Sequence, residues 1–161
     1  MQLVAIALPG QLLIKNIDRV IDLETTGDSS SFKSGGTASV LRGMLKDPRL
    51  VSQHGFIDVA VKIINGRSAM ELESFKYEVC IMSSLPESPY IVKLVGYSMR
   101  PMSIVMKYYS MSLADMILHR KLESEEGLLK CSLETARGME IIHSKDIIHF
   151  DLKPGMICDY L

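Results

Sequence analysis

Residues 136–154 read ARGMEIIHSKDIIHFDLKP, and the organisation of the chain is read outward from them. The first half completes a helical pattern. Leu129, Leu133, Ala136 and Met139 step along one face of a helix that Ser124, Glu125 and Glu126 open and that runs to about His143. The second half is the loop HFDLKP, His149 to Pro154, followed by Gly155. There a carboxylate, Asp151, stands two residues from an ammonium, Lys153. A carboxylate held by such a loop can accept a proton from a hydroxyl nucleophile, and a nearby lysine can steady a phosphate in transfer. Taken alone, the string is a buried histidine beside a surface Asp/Lys pair, the commoner arrangement. The tail IIHFDLKPGMICDYL reads as short strand, loop, short strand.

Toward the N-terminus, Ser112 before LADMIL, with Asp115 three residues on, marks another helix start. IVKLVGYSM (91–99) and MSIVMKYY (102–109) are two strands joined as a hairpin through Arg100-Pro101. Between Ala69 and Leu85 the period changes: Leu72, Phe75, Val79 and Met82 mark a helix face, which Pro86 and Pro89 end. FIDVAVKII (56–64) alternates and is β-branched, hence a strand, and Asn65-Gly66 turns out of it. Residues 45–56, with Asp47-Pro48 and His54-Gly55, read as a loop, Val40-Leu41 as a short strand, and the Ser/Thr/Gly-rich residues 24–37 as a loop. The order is strands with one helix, then helices: α+β in two parts.

MQLVAIALPGQLLI, the first 14 residues, is uncharged. It has no basic start, Pro9-Gly10 interrupts it, and it is shorter than the ~20 residues that span a bilayer. It reads as two short buried strands around a Pro-Gly turn, and no other stretch is long and apolar enough to span. The 161 residues are 47% apolar and 23% charged, ordinary for a globular chain, which at this size buries roughly 68–70% of its unfolded surface. Disorder and simple repeats are thereby excluded. Eighteen basic against 19 acidic residues leave no cationic excess for a phosphate backbone, so nucleic acid is not an expected partner. Three widely spaced cysteines, Cys80, Cys131 and Cys158, do not form a disulfide framework and point to a reducing, cytoplasmic compartment. The 11 methionines, Met82, Met106 and Met139 among them, read as core filler rather than metal ligands.

Three further features join HFDLKP. Gly35-Gly36 in KSGGTASV precedes the strand at Val40, and glycines let backbone N–H groups approach a phosphate. Lys62 in VAVK is a charge inside an apolar strand. Glu78 lies mid-helix beside the apolar face, where it can pair with Lys62 and fix its ammonium. Separately these are a surface loop, a lysine with a buried stem and a solvated glutamate. Together they fall in a fixed order: Lys62 is 27 residues after Gly35, Glu78 16 after Lys62, and Asp151 73 after Glu78.

That order resembles the protein kinase family. SGGTASVLRG is similar to its glycine-rich loop and VAVK to its third-strand lysine motif. FKYEVCIMSSLPESPYIVKLVGY is similar to its glutamate-bearing helix and following strand, and ARGMEIIHSKDIIHFDLKP to its long helix and catalytic loop. The resemblance runs from about Phe32 to the last residue. It implies an antiparallel N-lobe sheet with one helix, then the first helices and catalytic loop of an incomplete helical C-lobe. Residues 31–109 would be N-lobe, 110–161 partial C-lobe, and 1–30 an extension of unassigned role. It further implies that Lys62, held by Glu78, meets the α- and β-phosphates of ATP beneath the Gly35-Gly36 loop. Val40 and Ala60 would lie over the adenine, Tyr108 would sit in the hinge bonding it through the backbone, and Met106 would guard the pocket behind. Asp151 would be the catalytic base, with Lys153 near the γ-phosphate. The lysine of DLKP is similar to serine/threonine-type members, so a protein substrate is implied.

The chain departs from the family pattern at several positions. Lys33 and Ala38 stand where the loop usually has its first and third glycines, and Phe150 stands for the arginine of HRD. Met156 replaces an asparagine that binds magnesium, and a thioether is a poor ligand for a hard cation. Cys158 replaces a leucine under the adenine, and no DFG string is present. ATP is therefore the expected ligand, with magnesium expected for the family but its ligands missing and no metal site assigned. The expectation is a protein-kinase-type domain truncated after the catalytic loop and inert as this chain. The alternatives are a nucleotide-binding or docking pseudokinase and a non-functional fragment of a longer kinase. Uncovered apolar faces on both late helices would invite a docking partner or aggregation.

Overall fold

A computed structural model describes residues 6–24, 33–34, 38–121 and 124–157. The chain divides into two units, Met1–Ser84 with Lys93–Tyr108, and Leu85–Val92 with Tyr109–Leu161. In chain order the first comprises α1 (Ile17–Val20), β1 (Ile21–Leu23), β2 (Lys33–Ser34), β3 (Ala38–Leu45), α2 (Pro48–His54), β4 (Asp58–Ile64), α3 (Ala69–Ser84), β5 (Leu94–Met99) and β6 (Met102–Lys107). Its strands form one antiparallel sheet in the order β1-β3-β4-β6-β5, with the two-residue β2 added alongside β3.

Alternation along β4 sets the two faces of this sheet. Val59 and Val61 are fully buried on one face with Ile14, Ile17, Ile21, Leu45, Val95 and Val105. Ala60 and Lys62 point the other way, because successive side chains in a strand alternate. Lys62 lies opposite Ile104 of β6 and Val40 of β3. That second face buries Ile104 and Tyr97 against Phe75 and Val79 of α3, with Leu72 and Met82 packed at the margin. The helix face expected from the apolar spacing is thus the one that docks. Phe75 and Tyr97 meet edge-on, ring centroids 6.2 Å apart. Ser68 and Glu71 start α3 by a reciprocal capping box: Ser68 N–H donates to Glu71 Oε2 (2.8 Å) and Glu71 N–H to Ser68 Oγ (3.3 Å).

The second unit contains α4 (Leu113–Leu118) and α5 (Glu125–His143). Ser112 caps α4 through the expected box, its N–H donating to Asp115 Oδ2 at 2.8 Å while Asp115 N–H donates to Ser112 Oγ at 3.3 Å. Ser124 caps α5 by accepting from Gly127 N–H at 3.0 Å. Gly138 lets α5 approach Tyr90, since a Cβ there would stand 2.8 Å from the Tyr90 carbonyl oxygen. Ile117 and Leu118 of α4 and Leu128, Leu129 and Leu133 of α5 are exposed, the uncovered apolar faces the sequence led us to expect.

Four local expectations are corrected. In the N-terminal stretch residues 1–5 lie outside the described residues, and residues 6–14 form no strand about Pro9-Gly10: Gly10–Leu12 is a 3-10 turn and Leu13 makes an isolated parallel bridge to Tyr97. The donors are consumed locally, Leu12 N–H on Pro9 O at 3.0 Å and Leu13 N–H on Gly10 O at 3.2 Å. Residues 45–56 are not all loop, because they hold α2. Asp47 caps it by accepting from Arg49 N–H at 2.9 Å, Pro48 enters at its first position, and Gly55 ends it with φ 76°. The tail has no strand between Ile147 and Ile157: Pro154–Met156 is a 3-10 turn, and Ile157 O accepts from Leu113 N–H at 2.7 Å. At Ile157 its backbone therefore caps α4, and residues 158–161, over which the second expected strand continues, lie outside the described residues. Within residues 24–37, Lys33 and Ser34 pair with Val40 and Ser39, so that stretch is not all loop, and the strand at Val40-Leu41 extends over Ala38–Leu45.

Residues 6–24 belong to the body of the first unit. Ile14 N–H donates to Tyr97 O at 2.8 Å, and a Cβ on Gly96 would lie 2.6 Å from the Leu12 carbonyl oxygen. Because backbone cannot yield as a flexible side chain does, Gly96→Ala is expected to cost about 1–3 kcal/mol in urea unfolding. A near-neutral effect would show that the N-terminal segment does not rest on β5.

Candidate functional site

Lys62 sits at the third-to-last position of β4 with its stem between β3 and β6, facing α3. Glu78 precedes Val79, which anchors α3 to that same sheet face. The lysine Nζ donates to Glu78 Oε1 at 2.6 Å and Oε2 at 2.8 Å. Their side chains are 28% and 36% exposed, so the pair is neither dry nor free in solvent. At such exposure an ion pair contributes modestly to stability, and its main effect is to fix a direction. A carboxylate gripping the ammonium with both oxygens holds the cation at one point above the sheet.

The register sets further residues beside that cation. Val40 lies directly opposite Lys62 on β3, and Ala60, two residues along β4, lies opposite Met106 on β6. Residues paired across strands, or two apart along one, share a face. Val40, Ala60, Lys62 and Met106 therefore share the face that carries α3. Tyr108 follows β6, and its N–H donates to Asp58 O at 3.1 Å, which fixes the chain as it leaves the sheet. Gly35 and Gly36 lie outside the described residues, as does Cys158.

In the second unit, Lys153 Nζ donates to Asp151 Oδ2 at 2.6 Å, both side chains being exposed. Asp151 N–H donates to His149 Nδ1 at 3.3 Å, which turns the loop back on itself. Phe150 points outward, 93% exposed, and Met156 sits exposed in the closing 3-10 turn. The loop thus sets the Asp151 carboxylate against the Lys153 ammonium. That pairing suits general-base chemistry on a hydroxyl near a phosphate.

A group the motif reading passed over lies on the Lys62 face of the first unit. Arg42 pairs with Ala60 across β3 and β4, donates through Nη2 to Asp58 Oδ1 at 2.8 Å, and stacks 4.7 Å from the Tyr108 ring centroid. The hydrogen bond to Asp58 raises the Arg42 pKa above its ordinary value. Arg42 and Asp58 each stand two residues from a site position, Val40 and Ala60, so strand alternation alone was a signal for them. Among the described residues, no cluster of three or more His, Cys, Asp or Glu side chains could hold a metal ion, and no helix is long and apolar enough to cross a membrane.

A sequence model of the protein tyrosine and serine/threonine kinase family matches residues 29–155. A probable serine/threonine-protein kinase of Dictyostelium discoideum is 37% identical over 108 residues, 60% of this chain and 8% of its own length. A putative serine/threonine-protein kinase/receptor of Acanthamoeba polyphaga mimivirus is 32% identical over 140 residues, 83% of this chain and 8% of its own. A serine/threonine/tyrosine-protein kinase of Arabidopsis thaliana is 31% identical over 144 residues, 82% of this chain and 34% of its own. The chain belongs to the protein tyrosine and serine/threonine kinase family. Its described part holds the family's N-lobe sheet and glutamate-bearing helix and the start of its C-lobe, and it spans between 8% and 34% of the length of these three relatives.

The Lys62–Glu78 pair is expected to couple by about 0.5–1 kcal/mol in a double-mutant cycle of Lys62→Ala and Glu78→Gln followed by urea unfolding. High salt should lower that coupling, since the pair is partly exposed. Additive single effects would mean that the two residues do not hold each other in solution.

Proposed function

We propose that the first unit binds ATP and that the chain is the nucleotide-binding part of a kinase domain acting on serine or threonine of proteins. The observation that carries this reading is the two-oxygen grip of Glu78 on Lys62, which presents a fixed ammonium on the face shared by Val40, Ala60 and Met106. A fixed cation suits the α- and β-phosphates of ATP, and the small side chains of Val40 and Ala60 suit a flat base. Met106 closes the back of that face, and the backbone carbonyl of Tyr108 offers the adenine an acceptor, its N–H being held by Asp58 O. Gly35 and Gly36 would bring backbone N–H groups to the phosphates. Asp151 would accept the proton of the attacking hydroxyl, and Lys153 would neutralise charge gathering on the γ-phosphate.

Magnesium does not fit these residues. The position that the family fills with a coordinating asparagine is Met156, whose thioether suits soft metals, whereas magnesium takes oxygen donors in near-octahedral geometry. No step is drawn through the ion. Phosphoryl transfer rests on positioning and charge stabilisation, so this chain is expected to bind nucleotide and not to transfer phosphate. Met156 also favours a second reading, a pseudokinase that binds nucleotide without magnesium and serves to dock a partner.

Thermal melts test both readings. With ATP at about a hundred times its Kd, linkage predicts stabilisation of about 2.7 kcal/mol, a rise in Tm of roughly 5–10 °C for a chain of this size. Lys62→Ala should abolish the rise. No rise in the wild-type chain sinks nucleotide binding. A rise that needs magnesium counts against the pseudokinase. Phosphorylation of a generic protein substrate that Asp151→Asn abolishes would overturn the expected inertness.

A further inference from the structure

Arg42, Asp58 and Tyr108 form a closed ring of contacts at one end of the Lys62 face. The Arg42 guanidinium donates through Nη2 to Asp58 Oδ1 at 2.8 Å. The Asp58 carbonyl accepts from Tyr108 N–H at 3.1 Å. The Tyr108 ring lies under the guanidinium, 4.7 Å from centroid to Cζ. Glu24, just beyond β1, adds a second carboxylate: its Oε1 is 3.4 Å from Arg42 Nε, and Glu24 N–H donates to Arg42 O at 3.0 Å. One side chain thus ties together the N-terminal strand, the start of β4 and the residue after β6.

The placement of this ring gives it a consequence for binding. Arg42 is the cross-strand partner of Ala60 and stands two residues from Val40. Tyr108 stands two residues from Met106. The ring therefore adjoins the base-contacting end of the face and is separate from the Lys62–Glu78 pair that meets the phosphates. Tyr108 has left the ladder and keeps one backbone bond to the sheet, so its direction depends on what holds its side chain. A planar guanidinium both stacks on a ring and donates in its own plane to a carboxylate, which a lysine ammonium does less well.

We propose that Arg42, paired to Asp58, is a positioning residue for nucleotide binding: it holds the Tyr108 carbonyl where the adenine donates to it and so sets affinity for the base but not for the phosphates. This inference rests on the nucleotide-binding reading above. Arg42 acts through Tyr108 and touches no phosphate.

The test compares wild type, Arg42→Ala, Asp58→Asn and Lys62→Ala by titrating the full chain with ATP and, separately, with inorganic tripolyphosphate. Amide exchange at Tyr108 is followed in parallel. Arg42→Ala is expected to weaken ATP about tenfold, the combined scale of a stacked cation and a charge-assisted hydrogen bond, and to leave tripolyphosphate within about twofold. Asp58→Asn keeps the shape of the side chain and should move ATP in the same direction by a smaller factor. Both should speed exchange of the Tyr108 amide while leaving that of Ile104 unchanged. Lys62→Ala should weaken both ligands. A wild-type chain that binds ATP, with folded Arg42→Ala or Asp58→Asn chains that bind it equally well or lose tripolyphosphate in parallel, overturns this inference alone. A wild-type chain that binds neither ligand overturns the nucleotide-binding reading and this inference with it.

Discussion

Lys62 puts a charge on the inner face of a sheet, and much of the first unit is arranged around that fact. The strand that carries it must be central, because Val59 and Val61 on its other face are fully buried and need strands on both sides. The ammonium must then be neutralised from above, since an unpaired charge at such a place is costly. The helix that supplies the carboxylate is itself anchored there by Phe75 and Val79. Each requirement selects an element: β3 and β6 flank the strand, α3 covers the face, and Glu78 is the helix residue within reach. The pair contributes little to stability, yet it ties the chemistry of the face to the packing of the fold.

The second unit is held differently. Its order comes from caps and backbone bonds more than from a core: the reciprocal Ser112–Asp115 box, the Ser124 cap, and the Leu113 N–H bond to Ile157 O. Met116, Gly138 and Ser112 are buried there, while the leucines of α5 face outward. Arg137 donates to Tyr90 Oη at 2.6 Å and so ties α5 to the segment preceding β5. The Asp151 loop is built on this frame, since the bond to Ile157 O ties the chain just after the loop to the start of α4.

Long periodic elements were legible in the sequence, and so was the pairing of Lys62 with Glu78. The alternation of FIDVAVKII, the stepped apolar residues of α3 and the caps of α4 and α5 each state one local rule without conflict, and the structure follows them. Where the reading failed, short-range chemistry had been set aside. Asp47-Pro48 followed by His54-Gly55 is both a loop composition and a helix with its cap, first residue and left-handed stop. Seven residues are too few for an apolar period to separate these. The N-terminal stretch failed for another reason. Ile14 enters the core and Leu8 and Leu12 pack at its margin, but the chain passes Pro9 and Gly10 through a 3-10 turn, and burial alone does not distinguish that from a strand.

The sequence by itself determined the family and the α+β order and singled out Lys62, Glu78, Asp151 and Lys153 as candidates, because each is written in residues close together in the chain. The tertiary structure alone decided what the sheet register brings side by side. It put Val40 opposite Lys62 and Ala60 opposite Met106, seated residues 12–14 on β5, and joined Arg42, Asp58 and Tyr108 into one ring. The physical reason is range. Period, caps and turns act over a few residues, whereas cross-strand partners are set by pleat and hydrogen-bond register between segments far apart in sequence.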